Sequence, residues 1–345
     1  HIAVADWLVG ERGWRRSATA PLAIVVGGHH GIPPTDRDIL DTRDVPDALG
    51  VNGLWPAVRH ELLTWMTRHV GAADVLGQLR DVAATRHDRP LLSQPVQVLL
   101  TALVIMADWI ASNERYFPWN GDTPREPACV DEAMAELDLP TPWQARPETT
   151  DAAVLLQRRF DLAPDAAPFP VQSAAVAAAE AMAVPGMLII EAPMGDGKTE
   201  AAMLAVEMLA ARSGVGGCYF ALPTRATSNA IFKRAQAWLE RVLGAKPRGA
   251  RDLNLVHGKA MLNADFTTLL SAPMPDGIGI DARGAQTATH PWFAGRKRKL
   301  LANFAVGTVD HLLFMALQSR HLALRHLGLA GKVVVIDEAH AYDDY

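Results

Sequence analysis

The sequence predicts two domains of different class, an all-α domain followed by an α/β domain built on a parallel sheet. Three observations carry that expectation. Residues 1–117 repeat apolar positions at three- and four-residue spacing, as in Leu62, Leu63, Trp65 and Met66, the period of a helix with one buried face. After residue 170 the texture changes to short apolar runs between helical stretches. Such runs, bounded by turn residues, are the pattern of strands buried on both faces of a parallel sheet. Between the two lies a proline-rich stretch, residues 118–168, with Pro118, Pro124, Pro140, Pro142, Pro147, Pro164 and Pro168, and it reads as a connector between 1–117 and 169–345.

In chain order, a helix is expected to begin near Pro95, because proline is tolerated in the first helical turn, and to continue past Asp108 to Ser112. The connector carries one short helix around Val130–Leu137. Strands are expected at Met187–Glu191, Gly217–Leu222, Leu253–His257, Phe304–Gly307 and Val333–Asp337. The stretch Thr199–Arg212 has helical period and a glycine stop at Gly214.

The bulk properties narrow the function classes. At 345 residues, with 49% hydrophobic and 21% charged residues, the chain is a globular protein rather than a disordered one. A net charge of −5 excludes a global basic field, so any nucleic-acid contact must use local patches. The two cysteines, Cys129 and Cys218, have no disulfide or metal-type spacing and fit a reducing cytoplasm. The longest apolar stretch, Val96–Ala107, is interrupted by Gln97 and Thr101, runs into Asp108 and is expected to be too short to cross a membrane. The chain opens on His1 rather than Met and stops at Tyr345 directly after an acidic motif, so sequence is expected to be missing at both ends.

Two segments carry the chemistry. Ala192-Pro-Met-Gly-Asp-Gly-Lys-Thr199 follows an expected strand and opens an expected helix, the context that a phosphate loop requires. In the run Gly195-Asp196-Gly197-Lys198-Thr199-Glu200 the glycines allow backbone amides to point inward, and the helix adds its positive end. Lys198 would reach the β and γ phosphates of ATP, and Thr199 would offer its hydroxyl to Mg²⁺. In Val333-Val-Val-Ile-Asp-Glu-Ala-His340 a strand delivers acids at its carboxyl end, where ligands bind in open sheets. Asp337 would hold Mg²⁺ through water, Glu338 would position the attacking water, and His340 would relay the nucleotide state to other motifs.

Four segments together carry a family resemblance: Pro193–Glu200, Ala221-Leu-Pro-Thr-Arg-Ala-Thr-Ser-Asn229, Val306-Gly-Thr-Val-Asp310 and Val335-Ile-Asp-Glu-Ala-His-Ala-Tyr-Asp343. They resemble the ordered motifs of superfamily 2 DExH (DEAH-box) helicases and, more narrowly, those of the CRISPR-associated helicase-nucleases of type I systems. Gly28-His29-His30-Gly31 followed by Ala107-Asp108-Trp109-Ile-Ala-Ser112 is similar to the downstream half of that family's HD nuclease. The resemblance implies an all-α HD-type domain joined to the first of two RecA-like lobes, the second lobe supplying the arginines of phosphoryl transfer.

For single residues the resemblance implies that Gln172 contacts adenine and that Thr224, Arg225 and Thr308 touch the DNA backbone. The basic run Arg296-Lys297-Arg298-Lys299 would add electrostatic affinity, and His257 occurs at a family-like position without an assigned role. His29, His30, Asp108 and His1 are the implied ligands of two divalent transition metals (Fe, Mn, Co or Ni). Imidazole and carboxylate donors suit those ions, and a metal pair suits phosphodiester cleavage. The family's earliest histidine and its His-Asp pair are expected before His1.

The implied function is an ATP-dependent 3′–5′ single-stranded DNA translocase coupled to a metal-dependent nuclease that degrades foreign DNA. The implied partners are single-stranded DNA, a guide-RNA surveillance complex and a phage inhibitor protein, with no membrane. Two rival readings are a helicase whose helical front domain only binds protein, and a nucleotide-dependent switch or scaffold.

Overall fold

The computed structural model describes residues 1–50, 53–86, 90–118, 127–244, 252–256, 260, 267, 290–295 and 297–342. It divides into two compact units. The first is His1–Asn120 together with Gln318–His326; the second is Gly121–Leu317 with Leu327–Tyr345.

The first unit is helical, with α1 (Ile2–Arg12), α2 (Arg16–Gly27), α3 (Asp36–Arg43), α4 (Pro46–Leu49), α5 (Trp55–His69), α6 (Ala73–Thr85) and α7 (Gln94–Ala111). Local chemistry sets several ends. Gly13, at φ 67°, closes α1 in the left-handed region, and Thr35 with Asp38 forms a reciprocal capping box at α3. Pro95 sits in the first turn of α7. A core of Trp7, Leu8, Trp14 and Ala83 takes in Leu63, Leu76 and Leu79. Helix α7 runs 18 residues, longer than the apolar stretch read from sequence, and by length and composition it is apolar enough to cross a membrane. Here it packs against α2 and buries Thr101, Ala102, Ile105 and Ile110.

The second unit begins with α8 (Pro127–Leu137), α9 (Ala152–Arg159), α10 (Pro170–Ala181) and α11 (Lys198–Ser213). It then alternates β1 (Cys218–Leu222), α12 (Arg225–Leu243), β2 (Leu253–Val256), β3 (Phe304–Thr308), α13 (Asp310–Leu313), α14 (Leu322–Ala330), which counts with the first unit as far as His326, and β4 (Val333–Ile336). The sheet is parallel with order β2-β3-β1-β4. Its inner strands β1 and β3 are buried throughout, which is why they read as unbroken apolar runs.

The fifth expected strand does not join the sheet. Residues 187–191 carry no strand pairing. Leu188 and Ile190 pack onto the cluster around Leu155, Leu156 and Val176, while Met187 and Ile189 face outward. An apolar run fixes the wish to be buried, but a strand also needs a neighbour about 4.8 Å away, and a cavity separates this run from the edge strand β4.

The proline-rich stretch is also more than a connector. Trp143 is buried in the main core, edge-on to Trp238 and tilted against Phe304, and its backbone N–H donates to Gly216 O at 2.9 Å. Helix α9, capped by the Asp151 carboxylate, supplies Arg159 to a buried network. Arg159 Nε donates to both Glu207 carboxylate oxygens at 3.0 and 3.1 Å, and Trp238 Nε1 donates to Oε1 at 3.0 Å. The three residues tie α9, α11 and α12 together.

Removing one partner of such a pair leaves a buried charge. Arg159→Leu is expected to lower unfolding stability by about 3–5 kcal/mol, read from the midpoint of denaturant unfolding; a midpoint equal to that of the unsubstituted chain would contradict it.

A second buried acid gives a pH dependence. Burial raises the Asp252 carboxyl from 3.8 to about 7, against the opposing pull of the His290 N–H and the Lys332 charge. The folded state therefore prefers protonated Asp252, a contribution fully present below about 3.8 and lost as pH rises through about 7. Buried Lys332 falls to about 8, so it enters only above that window. Asp252 is expected to contribute a fall in stability between about pH 4 and pH 7, against a rise from His290, whose pKa burial lowers; Asp252→Asn should remove that fall from denaturation curves.

Candidate functional site

The loop ahead of α11 is built from two left-handed glycines, Gly195 at φ 94° and Gly197 at φ 71°. Gly197 is the N-cap of α11, so Lys198, Thr199 and Glu200 form the helix's first turn. Lys198 Nζ folds back over the loop and donates to Ala192 O at 2.8 Å and Pro193 O at 3.0 Å. Carbonyls hold an ammonium here as phosphate oxygens would, with the charge placed over the loop. Glu200 pairs with Arg234 on α12, a partner that sequence reading did not single out.

Gln172, the residue expected to contact adenine, lies in the first turn of α10. It is 3% exposed; its Oε1 accepts the Phe169 N–H at 2.9 Å and its Nε2 donates to Gly197 O at 3.3 Å. The side chain links the start of α10 to the loop.

At the carboxyl end of β4 the Asp337 N–H donates to Ala221 O at 3.0 Å, carrying the pairing with β1 one residue further. Glu338 turns out of the strand at φ 54°, and its N–H donates to Asp337 Oδ1 at 2.9 Å. His340 Nδ1 lies 3.4 Å from Glu338 Oε2. The Tyr342 hydroxyl, also missed in the sequence, donates to Asp337 O at 3.1 Å. Burial raises its pKa, and the carboxylates of Asp337, Asp310 and Glu338 push it the same way. A cavity of about 900 Å³ is lined by Glu191, Ala192 and Lys198 and also by Asp337, Glu338 and His340. Cation and acids therefore face one space.

The expected nucleic-acid contacts divide. Thr224 is the N-cap of α12, accepting the Thr227 N–H at 3.2 Å, and both it and Arg225 are exposed. Leu222 pairs with Thr308 in register, so both segments leave the sheet at neighbouring strand ends. Thr308 itself is 6% exposed and its hydroxyl donates to Asp310 Oδ2 at 3.1 Å; it supports Asp310 instead of facing solvent. In the basic run, Arg298 lies over the Trp292 ring at 4.7 Å, Lys299 donates to Leu255 O at 3.3 Å, and Lys297 is exposed. Arg296 and His257 lie outside the described residues.

In the first unit His29 and His30 occupy the turn that ends α2, with ring centroids 4.0 Å apart. The His29 Nδ1 lies 2.7 Å from Val26 O; as donor there it leaves Nε2 as the ring's lone-pair nitrogen. The elements bearing the other candidates pack on the same turn. A Cβ on Gly27 would stand 3.0 Å from His1 Cβ, and one on Gly28 would stand 2.8 Å from the Thr101 methyl, on α7 two turns before Asp108. The His1 Nδ1 is buried without a hydrogen-bond partner. These donors fit a transition metal in chemistry. Among the described residues, however, no three His, Cys, Asp or Glu side chains converge to hold one ion, so the coordination sphere is not closed by them.

Comparison with known proteins gives a consistent assignment. Residues 1–117 match the family model described as "Cas3, HD domain". The chain is 39% identical over 340 residues to a CRISPR-associated nuclease/helicase Cas3 of Streptococcus thermophilus, covering 94% of this chain and 34% of that protein. It is 36% identical over 348 residues to the Cas3 endonuclease/helicase of Thermus thermophilus, with coverage of 98% and 35%. The crystal structure of T. fusca Cas3-AMPPNP superposes with a TM-score of 0.70 at 30% identity, covering 99% of this chain and 36% of the other. A chain of a CRISPR RNA-guided surveillance complex in a pre-nicking state does so at 0.51 and 25%, covering 99% and 32%. With an HD-type helical unit, a parallel α/β unit and these relatives, the chain belongs to the CRISPR-associated Cas3 nuclease/helicase family and spans about a third of the length of the curated relatives it matches.

Proposed function

We propose that this chain carries the downstream half of an HD nuclease and the first lobe of an ATP-driven motor, in domains close to residues 1–117 and 169–345. The motor moves along single-stranded DNA from 3′ to 5′ in the cytoplasm. It is recruited by a guide-RNA surveillance complex, and a phage inhibitor protein is a further partner. The observation that supports this most is the shared cavity, which sets Lys198 across from Asp337, Glu338 and His340.

The chemistry follows from what each side chain can do. Lys198 gives up the Ala192 and Pro193 carbonyls for the β and γ phosphate oxygens of ATP and offsets their charge. The amides after Gly195 and the first turn of α11 add donors at the same point. Thr199 and Asp337 supply the oxygens that would hold Mg²⁺, which neutralises charge on the phosphates when bound. Glu338 orients water for attack on the γ phosphorus, and His340, beside it, senses its charge. Exposed Thr224, Arg225 and Lys297 hold DNA phosphates without reading sequence. His1, His29, His30 and Asp108 would hold divalent transition metals in the HD unit.

In a family-length protein containing this sequence, Lys198→Ala should reduce DNA-stimulated ATP hydrolysis by about 100-fold or more, measured by phosphate release. An unchanged rate rules out the nucleotide reading. The pair His29→Ala and Asp108→Ala should remove bound transition metal, measured by elemental analysis, and stop DNA degradation while sparing the ATPase. Retained metal would favour a front domain that only binds protein.

At Gly197 a Cβ would stand 2.2 Å from Gln172 Nε2, at a φ that disfavours L side chains. Gly197→Ala should therefore weaken nucleotide affinity about tenfold, ~1.4 kcal/mol, seen by calorimetric titration for ATP and ADP alike.

A further inference from the structure

A short segment far along the chain grips the histidine turn. Residues Gln318–His326 belong to the helical unit although they follow β3 in sequence. The His321 N–H donates to Gly31 O at 2.8 Å, and Arg320 Nε donates to His30 O at 3.1 Å. The His321 ring lies flat on Gly31: a Cβ there would meet Nδ1 at 2.4 Å and Cε1 at 2.6 Å, so only glycine admits the ring. The same ring meets Trp109 edge-on at 5.2 Å, and Trp109 is the neighbour of Asp108. His321 is 6% exposed and sits at φ 64°, a conformation that persists only where surrounding contacts over-determine it.

We propose that Arg320 and His321 are positioning residues for the HD centre, clasping the His29-His30 turn and the Asp108 end of α7 to one another. The inference rests on the reading of His29, His30 and Asp108 as metal ligands. His29 is oriented from within its own helix end, through Val26 O. His30 has its carbonyl taken by Arg320, and the next carbonyl is taken by His321. Arg320 thus fixes the peptide plane that follows His30 from outside the turn, and His321 fixes the next one, beyond Gly31. The indole beside Asp108 is fixed by the same ring. A ligand held in direction by its surroundings binds metal more tightly, and losing such support typically costs 10- to 100-fold in affinity.

The test uses Co²⁺ with a family-length protein, reading affinity and the visible d–d spectrum alongside DNA-stimulated ATPase. Arg320→Ala and His321→Ala should each weaken Co²⁺ binding about tenfold or more and alter the spectrum, with the ATPase within about twofold of the unsubstituted protein. His321→Phe, which keeps a flat ring against Gly31 and Trp109, should recover most of the affinity. Unaltered affinity and spectrum in both alanine variants would overturn the proposal. So would a Phe variant as weak as the Ala one, since a ring nitrogen would then be the active group. If His321→Ala does not fold, exposed Arg320→Ala still decides. Failure of the unsubstituted protein to take up Co²⁺ would end the underlying metal reading as well, an outcome distinct from the other two.

Discussion

Parallel pairing of β1 with β4 is the constraint on which the α/β unit's chemistry depends. The register that sets Ala221 opposite Ile336 is extended by the Asp337 N–H to Ala221 O, so the acidic motif can leave the sheet at only one height. All strands run the same way, and the segments carrying Asp337, Thr224 and Thr308 emerge at the same end. Lys198 arrives from another direction, at the first turn of α11, through a loop that two left-handed glycines bend back on itself. Charge of opposite sign therefore lines one cavity.

That cavity has a structural cost that the rest of the unit offsets. The run 187–191 lacks a strand partner, and β4 is an edge with Val334 and Ile336 exposed. The loop is held instead from behind. Leu188 and Ile190 pack on the α9 and α10 side chains, and Gln172 ties α10 to Gly197. The Arg159–Glu207–Trp238 network anchors α11 to α9 and α12. A phosphate loop must keep its amides aimed at one point before a ligand arrives, and here helices hold it there.

The helical unit solves a similar problem with less local support. Its two histidines lie in a turn closed by the Gly31 N–H to Gly28 O, and the His30 carbonyl is held by Arg320 from another part of the chain. Two glycines are required for this: Gly28 admits Thr101, and Gly31 admits the His321 ring. The same logic explains why α7, apolar enough for a membrane, carries Asp108 near its end. A long apolar helix can serve as the rod against which a polar turn is positioned.

Much of this was written locally. The helix start near Pro95, the glycine end at Gly214, four of the five expected strands and the glycine loop follow from period and turn chemistry within a few residues, and so does the resemblance to the family. Other features depend on residues that no local window contains. Nothing near Gln172 says that both ends of its amide are used, and nothing near Thr308 says that Asp310 takes its hydroxyl. The proline spacing of 118–168 gives no sign that Trp143 completes a core. Arg320 and His321 have no motif; they matter because the chain returns to Gly31. Sequence alone determined which chemical groups are present and on which kind of element, because those depend on neighbours one to four positions away. Tertiary structure decided which groups are free and which are spent on one another, because long-range packing brings their partners together.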